Sequence, residues 1–419
     1  MYIDRIQIEN FRTFGKTDIR FCHPDRRYSS SDSTQNSFPQ PQLPNLNLLL
    51  GNNGLGKTTL LKAIALSALG PAVRSSGIYA NHLVRRDVSL SQPQTACLNG
   101  FFVPHPQDRV PVTTPKTKYL NSTIQIVRKG DLEEFEWMNG ETQAWDSIYS
   151  SSSDAFFFVG YGATRRVEQR ERVDLSGRRG SSFVRAQRIQ SLFEEAYSLL
   201  PLNTWLPEFR HSNPGRYKQV VNLINRLMGD GHYQFQGELE AGEYLFEKGG
   251  LKIPFPDLSD GYRAFLGWVG DLLYHICMTA PKGKKLTENQ GIVMVDEIDL
   301  HLHPKWQMTV LKTLATALPQ IQFIVTSHSP LLVGAVEWMN ILVMEPGRKQ
   351  SSKAIRLKQA VHGLDADQIL LTEFFGMEST RSAGKQRDLK KLSLMARAGD
   401  TEAATQLLIE MSRGLEPLA

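Results

Sequence analysis

The feature that most constrains this chain is a glycine-rich stretch, "GNNGLGKT", at residues 51–58. It matches the phosphate-loop pattern G-x-x-x-x-G-K-[ST] at every fixed position. The apolar run "NLNLLL" precedes it, and "LLKAIALSAL", with apolar residues at helical spacing, follows it. Strand, glycine turn and helix are the setting that such a loop requires, because its backbone N–H groups then curl around phosphate oxygens. The stretch predicts an α/β fold with a nucleotide phosphate site, in which Lys57 reaches the phosphates and the Thr58 hydroxyl binds magnesium.

A second polar cluster lies in "GIVMVDEIDLHLHPKW", residues 291–306. Taken alone, its carboxylates and histidines include ligand types for zinc, manganese or magnesium. The phosphate loop decides between them, because it needs a carboxylate partner for magnesium at the end of a buried neighbouring strand. "IVMV" is that strand, so Asp296 is predicted to bind magnesium together with Thr58. Glu297, one residue further on, is predicted to orient or deprotonate the attacking water.

The two histidines of the same stretch suggest a further metal site at first sight. No third ligand stands at a fitting spacing from His301 and His303. His303 precedes Pro304, and proline is typical of the first turn of a helix. His303 is therefore predicted to lie at a helix cap.

Composition narrows the class of protein. The chain has 419 residues, of which 41% are hydrophobic and 22% charged, as in ordinary soluble domains. No apolar run approaches the roughly 20 residues that span a bilayer, and "MYIDRIQIENF" lacks the apolar core of a secretory leader. Three widely separated cysteines, Cys22, Cys97 and Cys277, argue against a disulfide framework. We expect a cytoplasmic protein that is not associated with a membrane.

The order of the patterns predicts a sheet interrupted by one insertion. "YIDRIQIENFRTFGKTDIRF" alternates apolar and polar residues, which predicts a hairpin with its turn at Gly15 and Lys16. Strand-like runs continue to residue 161, helical patterns follow, and strands alternate with helices further on, as in a parallel sheet. Two lobes of an α/β domain are predicted to span residues 1–165 and 251–350. A basic and largely helical insertion is predicted between them at residues 166–250, and a C-terminal helical segment at residues 351–419.

Positive charge is concentrated in residues 161–190. This segment holds eight arginines against three acidic residues, a net charge of 8 − 3 = +5 that equals the excess of the whole chain. Such a cluster either binds a nucleic-acid backbone by displacing counterions or forms a solvated loop. The arginines are Arg165, Arg166, Arg170, Arg172, Arg178, Arg179, Arg185 and Arg188.

Four motifs in a fixed order resemble a known family. They are "IQIENFRTF", "GNNGLGKTT", "LSDGYRAF", and "VDEID" with "TSHSP". Together they resemble the ABC-class ATPases of the SMC, RecF and OLD type. The resemblance implies an ABC-type P-loop ATPase head: a mixed or parallel sheet with flanking helices, an antiparallel N-terminal part, a helical insertion and C-terminal helices. It also implies ATP and Mg²⁺ as cofactors.

The same resemblance implies a set of site residues. Glu297 and His328 would be catalytic, His328 as the switch histidine that senses the γ-phosphate. Residues of one subunit that would contact ATP are Arg12, Asn52, Asn53, Gly54, Gly56, Lys57, Thr58 and Thr59. Ser259 and Gly261, in a signature segment that departs from the commonest form at Asp260 and Tyr262, would contact ATP on the opposite subunit, with the D-loop residue Asp299 at the interface. The usual Q-loop glutamine has no obvious counterpart where "FFVGYGATRR" stands.

The family's assembly and roles follow as expectations. Two subunits would pack head to tail around two ATP molecules, as a homodimer or higher homo-oligomer. The candidate roles are a regulatory ATPase in prokaryotic defence with a separate nuclease or toxin effector, a RecF-like or SMC-like DNA repair ATPase, and a transporter ATPase. The segment "DADQILLTEFFGMESTRS" resembles one in Septu-like ATPases and favours defence. About 90 residues follow His328 without a clustered acidic metal motif, so we expect no nuclease domain in this chain.

Overall fold

The computed structural model describes residues 1–26, 38–86, 94–105, 108, 119–138, 142–149, 156–167, 184–229, 233–281, 283–347, 350–380 and 383–412. The chain divides into two compact units, 1–363 and 364–419. In chain order, the strands of the described residues are β1 (Tyr2–Phe11), β2 (Phe14–Arg20), β3 (Leu46–Leu50), β4 (Thr95–Val103), β5 (Leu120–Lys129), β6 (Leu132–Trp137), β7 (Phe157–Tyr161), β8 (Arg166–Val167), β9 (Ser198–Leu199), β10 (Gln234–Glu240), β11 (Glu243–Lys248), β12 (Leu251–Pro254), β13 (Gly291–Val295), β14 (Ile321–Thr326), β15 (Ile341–Pro346) and β16 (Ser352–Ile355).

The helices are given in the same order. The α-helices are α1 (Lys57–Leu69), α2 (Thr142–Tyr149), α3 (Val184–Gln190), α4 (Leu202–Ser212), α5 (Pro214–Met228), α6 (Asp260–Thr279), α7 (Pro304–Ala317), α8 (Pro330–Gly334), α9 (Ala366–Leu370), α10 (Ala383–Arg397) and α11 (Thr401–Ser412). Short 3₁₀ helices span Gly70–Ser75, Phe255–Asp257, Leu286–Glu288 and Trp338–Asn340. None of the helices in these ranges is both long and apolar enough to cross a membrane.

One mixed sheet organises the first unit. Its strand order is β6-β5-β4-β1-β2-β16-β15-β3-β14-β13-β7. Neighbours from β6 to β2 are antiparallel, whereas β15, β3, β14, β13 and β7 run parallel to one another. Strand β16 joins the two halves, antiparallel to β15 and parallel to β2. The predicted fold class, a mixed α/β ATPase head with an antiparallel N-terminal part, is confirmed.

The predicted N-terminal hairpin is present, but its turn is three residues earlier than expected. β1 and β2 pair antiparallel, with Phe11 opposite Phe14, so the turn is at Arg12 and Thr13. Both phenylalanines are fully buried. A shift of register by one residue would move every side chain of the strand to the other face of the sheet. Burial of this pair therefore determines where the turn lies, in spite of the preference of Gly15 for turns. Arg12 adopts a left-handed backbone, with φ 47°, as a consequence.

The strands that carry the predicted site are the most buried. Every residue of β3, β13 and β14 is buried, which is typical of parallel strands covered on both faces. Helix α1 follows β3 and packs against β1, β4 and β5, with Leu60, Leu61 and Ile64 in the main core. The start of α1 is thereby held firmly at the edge of the sheet where β3 ends.

The region after β8 contains both helices and strands. α5 buries residues at helical spacing, as predicted. The helix predicted from residue 185 ends at Gln190, because Ser198–Leu199 pairs with β8 as a short strand instead. β10, β11 and β12 form a separate antiparallel sheet. In the second unit, the predicted short helices are present, and α10 packs against α11.

Candidate functional site

The glycine-rich loop joins the end of β3 to the start of α1. Gly51, Gly54 and Gly56 all have positive φ, which favours glycine over other residues. A Cβ on Gly56 would collide with the Thr13 hydroxyl. Helix α1 has no side-chain cap and no acidic residue in its first turn, so its N-terminal N–H groups are left for an anion.

Lys57 is buried and points back into the loop. Its Nζ donates to the main-chain oxygens of Gly51, at 2.7 Å, and Asn52, at 3.2 Å. Burial lowers the pKa of Lys57, and the carboxylates of Asp296 and Glu297 act in the opposite direction. The ammonium is thus close to both carboxylates. Its acceptors within the described ranges are carbonyl oxygens, which a stronger acceptor can replace.

Asp296 connects the loop to the neighbouring strands. Its Oδ2 accepts from the Thr58 hydroxyl at 2.7 Å, and its Oδ1 accepts from the Thr326 hydroxyl at 2.6 Å. Its N–H donates to Tyr161 at the end of β7, at 2.9 Å. The side chain is in the buried class, at 5% exposure. The two residues predicted to share magnesium therefore lie within hydrogen-bond distance of each other.

Glu297 lies in a strained turn immediately after Asp296. Its φ is 47°, in the left-handed region that non-glycine residues rarely adopt. The N–H of Glu297 donates to the Thr326 hydroxyl at 2.7 Å. The guanidinium of Arg165 donates to the main-chain oxygens of Asp296, at 2.5 Å, and Glu297, at 2.9 Å. The turn is therefore fixed by hydrogen bonds on two sides.

The assignment of Arg165 to a nucleic-acid surface is wrong. The residue is 8% exposed, and burial lowers its pKa to about 10, although Asp296, Glu297 and Asp299 oppose the shift. It is still a cation at neutral pH. Its charge can be read from the sequence, but the direction of its side chain cannot. The residue follows β7, which pairs with β13, and its side chain therefore reaches the backbone of Asp296 and Glu297.

The other arginines of the basic segment differ in their surroundings. Arg166 is exposed. The guanidinium of Arg185 lies 4.6 Å from the ring centroid of Tyr149, and that of Arg188 lies 5.8 Å from Phe157. The remaining predicted arginines, Arg170, Arg172, Arg178 and Arg179, are outside the described residues.

His328 and Asp299 lie near the same charges. His328 follows β14 and is half-buried; burial and the charge of Lys57 lower its pKa, against the effect of the nearby carboxylates. The neutral imidazole is therefore favoured at pH 7. The Oδ1 of Asp299 is buried and has no hydrogen-bond partner among the described residues.

Gln307 is a residue that the sequence analysis missed. Its Nε2 donates to the main-chain oxygen of Leu302 at 2.9 Å, and its Oε1 accepts from the Ser329 hydroxyl at 2.7 Å. Ser329 in turn caps α8. Gln307 therefore ties the segment after Asp299 to the segment after His328. No motif marks it, because its role depends on two loops that meet only in the fold.

The signature segment forms the N-terminus of α6. Ser259 is the exposed N-cap, but its hydroxyl makes no cap hydrogen bond. A Cβ on Gly261 would clash with the main-chain oxygen of His301, so this position is packed against the segment after Asp299. Within the described ranges, neither Ser259 nor Gly261 hydrogen-bonds to the phosphate loop of its own chain.

The remaining predicted residues lie around the loop and the start of α7. Arg12 is exposed. The pKa of Lys62 on α1 is lowered by burial of the lysine and by the charge of Arg12. Asn52, Asn53 and Gly54 are exposed, and Thr59 is buried. The Nδ1 of His303 accepts from the N–H of Lys305 and caps α7, which confirms the predicted cap.

Comparisons with known proteins agree with the fold and with the site. A family model described as "AAA domain, putative AbiEii toxin, Type IV TA system" matches residues 137–334, and a second, described as "AAA domain", matches residues 5–172. The crystal structure of an SMC head bound to the C-terminal winged-helix domain of ScpA has the same fold, with a TM-score of 0.50, 15% identity, and coverage of 85% of this chain and 98% of that one. The two AAA-domain models agree with the predicted P-loop ATPase, and the SMC head agrees with the predicted fold.

Two curated relatives are more specific. Septu protein PtuA of Bacillus mycoides (strain KBAB4) is 24% identical over 382 residues, which is 90% of this chain and 45% of that protein. Septu protein PtuA of Bacillus thuringiensis is 27% identical over 344 residues, which is 80% of each. The chain thus spans less than half the length of the first relative and most of the second.

Proposed function

We propose that this chain is the ATPase of an antiphage defence system and hydrolyses ATP in composite sites between two copies. The observation that carries the proposal is the position of Asp296. One carboxylate accepts from Thr58 on the phosphate loop and from Thr326 on the adjacent strand. Such an arrangement suits a magnesium ion held between the loop hydroxyl, the carboxylate and nucleotide phosphates.

The residues of the loop fit a magnesium nucleotide. The positive φ of the three glycines forms a concave backbone, and the uncapped N-terminus of α1 is available to phosphate oxygens. Residues 52–54 and 56–59 would hold the phosphates, with Arg12 beside the nucleotide. Thr58 and Asp296 would hold magnesium, which supplies positive charge to the phosphate oxygens when it is bound.

Three side chains would act on the terminal phosphate. Lys57 would exchange the carbonyl oxygens of Gly51 and Asn52 for phosphate oxygens, which are stronger acceptors. Glu297 would orient the attacking water and accept its proton. His328, neutral at pH 7, would donate one hydrogen bond to the γ-phosphate and so report its presence.

The remaining predicted residues suit contact with a second copy. The Ser259 hydroxyl is exposed without a cap bond, and Asp299 as a residue is half-buried. A head-to-tail dimer would bring Ser259 and Gly261 to the ATP of the opposite copy and Asp299 to the interface. Because the site is divided between two chains, ATP binding would control whether the two chains dimerise. Such control suits a regulatory protein.

The variant Glu297→Gln tests this function. It keeps the shape of the side chain but removes the proton acceptor, so ATP should bind, turnover should fall by about 100-fold or more, and an ATP-bound dimer should accumulate. Phosphate release and multi-angle light scattering with and without ATP measure the two effects. Exposed Glu240→Gln is the matched control. Wild-type protein without ATPase activity would contradict the proposed function, and retained turnover in Glu297→Gln would refute the role of that residue.

The proposed role in defence is supported by the similarity to the two Septu proteins. We expect a separate effector, a nuclease or a toxin, whose action the ATPase controls. Phage plating on a host that carries this gene with its neighbouring genes should show protection, and Lys57→Ala should abolish it. Equal plating with and without wild-type genes would contradict the defence role while leaving ATP hydrolysis intact.

A further inference from the structure

The main chain after β13 runs beyond its neighbouring strand. β13 pairs with β7 up to Val295 and Tyr161, and one further bond joins the N–H of Asp296 to Tyr161. Among the described residues, β7 is the last strand of the sheet on that side, and no backbone N–H donates to the carbonyl oxygen of Asp296. The carbonyl oxygen of Glu297 accepts from the N–H of Leu300 at 3.1 Å, within its own turn. A buried carbonyl oxygen without a donor is costly and a carbonyl oxygen has two lone pairs, so each of the two oxygens can take one hydrogen bond from a side chain.

Arg165 supplies both of them. Its two terminal nitrogens donate to the two carbonyl oxygens at 2.5 and 2.9 Å. The planar fork of a guanidinium matches a pair of acceptors in a way that a lysine ammonium does not. The turn that leads to Arg165 is itself fixed, because the N–H of Gly162 donates to the Ser191 hydroxyl at 3.0 Å.

From this geometry we infer that Arg165 is a positioning residue for ATP hydrolysis, which holds the backbone of Asp296 and Glu297 so that their carboxylates face the nucleotide. The inference rests on the proposed function. Thr326 holds the N–H of Glu297 from one side, and Arg165 holds its carbonyl oxygen from the other. These two contacts act together with the bond from the N–H of Leu300 to keep the left-handed turn at Glu297 in place. Arg165 itself is not expected to touch ATP.

Charge supports the same role. Asp296, Glu297 and Asp299 bring three carboxylates to one edge of the sheet, and each of them acts on Arg165. A buried cation beneath them offsets their mutual repulsion in the low-dielectric interior. Loss of Arg165 therefore removes two hydrogen bonds and a compensating charge from the same turn.

A cavity on the other side of Arg165 makes the inference testable by chemical rescue. The cavity has a volume of about 670 Å³, is partly open to solvent, and is lined by Arg165 with Val167, Leu202, Tyr244, Phe255 and Leu266. Truncation of Arg165 would enlarge this space towards the two carbonyl oxygens. A free guanidinium ion is small enough to enter there and to donate to both.

The experiment compares Arg165→Ala, Arg165→Lys and Arg165→Met with wild-type protein. We expect kcat to fall about 100-fold in Arg165→Ala, as for a small misplacement of catalytic groups, with the Kd for ATP little changed. Arg165→Lys should retain part of the rate, because a single donor nitrogen and the charge remain. Millimolar guanidinium chloride should restore turnover in Arg165→Ala but not in Arg165→Met, whose side chain fills the space. Arg74→Ala, at an exposed arginine, is the control.

The possible outcomes separate the inference from the proposed function. Absence of turnover in wild-type protein contradicts the proposed function. Wild-type turnover that persists in Arg165→Ala overturns the inference alone. A parallel loss of ATP affinity, melting temperature and kcat, without rescue by guanidinium, indicates a purely structural residue and also overturns it. If Arg165→Ala does not fold, the ratio of kcat to ATP affinity in Arg165→Lys decides in the same way.

Discussion

At the scale of single residues, one hydroxyl contacts both the carboxylate of Asp296, predicted to bind magnesium, and the backbone of Glu297, predicted to act on water. Thr326 donates to Asp296 and accepts from the N–H of Glu297, at 2.6 and 2.7 Å. It is fully buried, so neither bond competes with water. The sequence "TSHSP" drew attention to His328, whereas the threonine two residues earlier has the closer contacts with the site. A side chain at the end of one parallel strand can thus form hydrogen bonds with residues that follow the neighbouring strand.

The protonation of His328 leads to a prediction about pH. Its pKa lies below 6.5 in the folded chain because of burial and the charge of Lys57. A histidine whose pKa is lower in the folded than in the unfolded chain binds protons preferentially when unfolded, so its contribution reduces stability as the pH falls through 6.5. We expect nucleotide-free wild-type protein to lose more stability than His328→Asn when the pH is lowered from 7 to about 5.5.

Two measurements check this prediction. Urea denaturation at both pH values gives the difference in the free energy of unfolding, and an NMR titration of labelled histidine gives the pKa directly. His301→Asn, at an exposed histidine of the same region, is the control. A midpoint for His328 at or above 6.5 would show that the imidazole is not in the environment described.

At the scale of elements, Gln307 on α7 links the two loops that flank the site. Gln307→Leu removes its two shorter hydrogen bonds and a longer one, at 3.5 Å, to the main-chain oxygen of Asp299. It leaves the Leu302 carbonyl and the Ser329 hydroxyl without these partners, at a cost of about 1–3 kcal/mol. We expect ATP turnover to fall while ATP affinity is retained, because the phosphate loop is untouched. Gln307→Glu keeps the acceptor for Ser329 and should lose less. Equal turnover in Gln307→Leu and wild type would show that the link has no part in the reaction.

The elements also show how far sequence patterns predict this fold. Period-two alternation predicted β1 and β2, and apolar runs ending in "DE" and "TSH" predicted β13 and β14 with their polar ends. Patterns of this kind depend on neighbours in the chain. The strand order, with β16 joining an antiparallel half to a parallel half, depends on contacts between distant residues and was not predicted. Arg165 was misassigned for the same reason, since its partners are more than 100 residues away.

At the scale of the whole molecule, the site combines strands that are far apart in the sequence. β3, β13 and β14 are adjacent in the sheet and end at the same edge. This arrangement gathers Lys57, Asp296 and His328 in one chain, whereas Ser259 makes no hydrogen bond to the phosphate loop in the described residues. In the proposed dimer, a second copy would supply its Ser259 and so complete the site.

Mixing two inactive variants tests the composite site directly. In a head-to-tail dimer, Lys57→Ala disables its own phosphate loop, and Ser259→Arg disables the signature that it offers to its partner. A mixed dimer therefore contains one site with both elements intact and one with neither. Because an equal mixture forms mixed dimers half of the time, turnover should recover to roughly a quarter of the wild-type value.

The control mixture combines Lys57→Ala with the double variant Lys57→Ala/Ser259→Arg. No pairing of these chains contains an intact phosphate loop, so turnover should stay at background, although the same surfaces meet. Recovery confined to the first mixture requires that the loop of one chain work with the signature of another. If neither mixture recovers while Ser259→Arg alone binds ATP as a monomer and hydrolyses it at the wild-type rate, each chain carries a complete site and the head-to-tail arrangement is wrong.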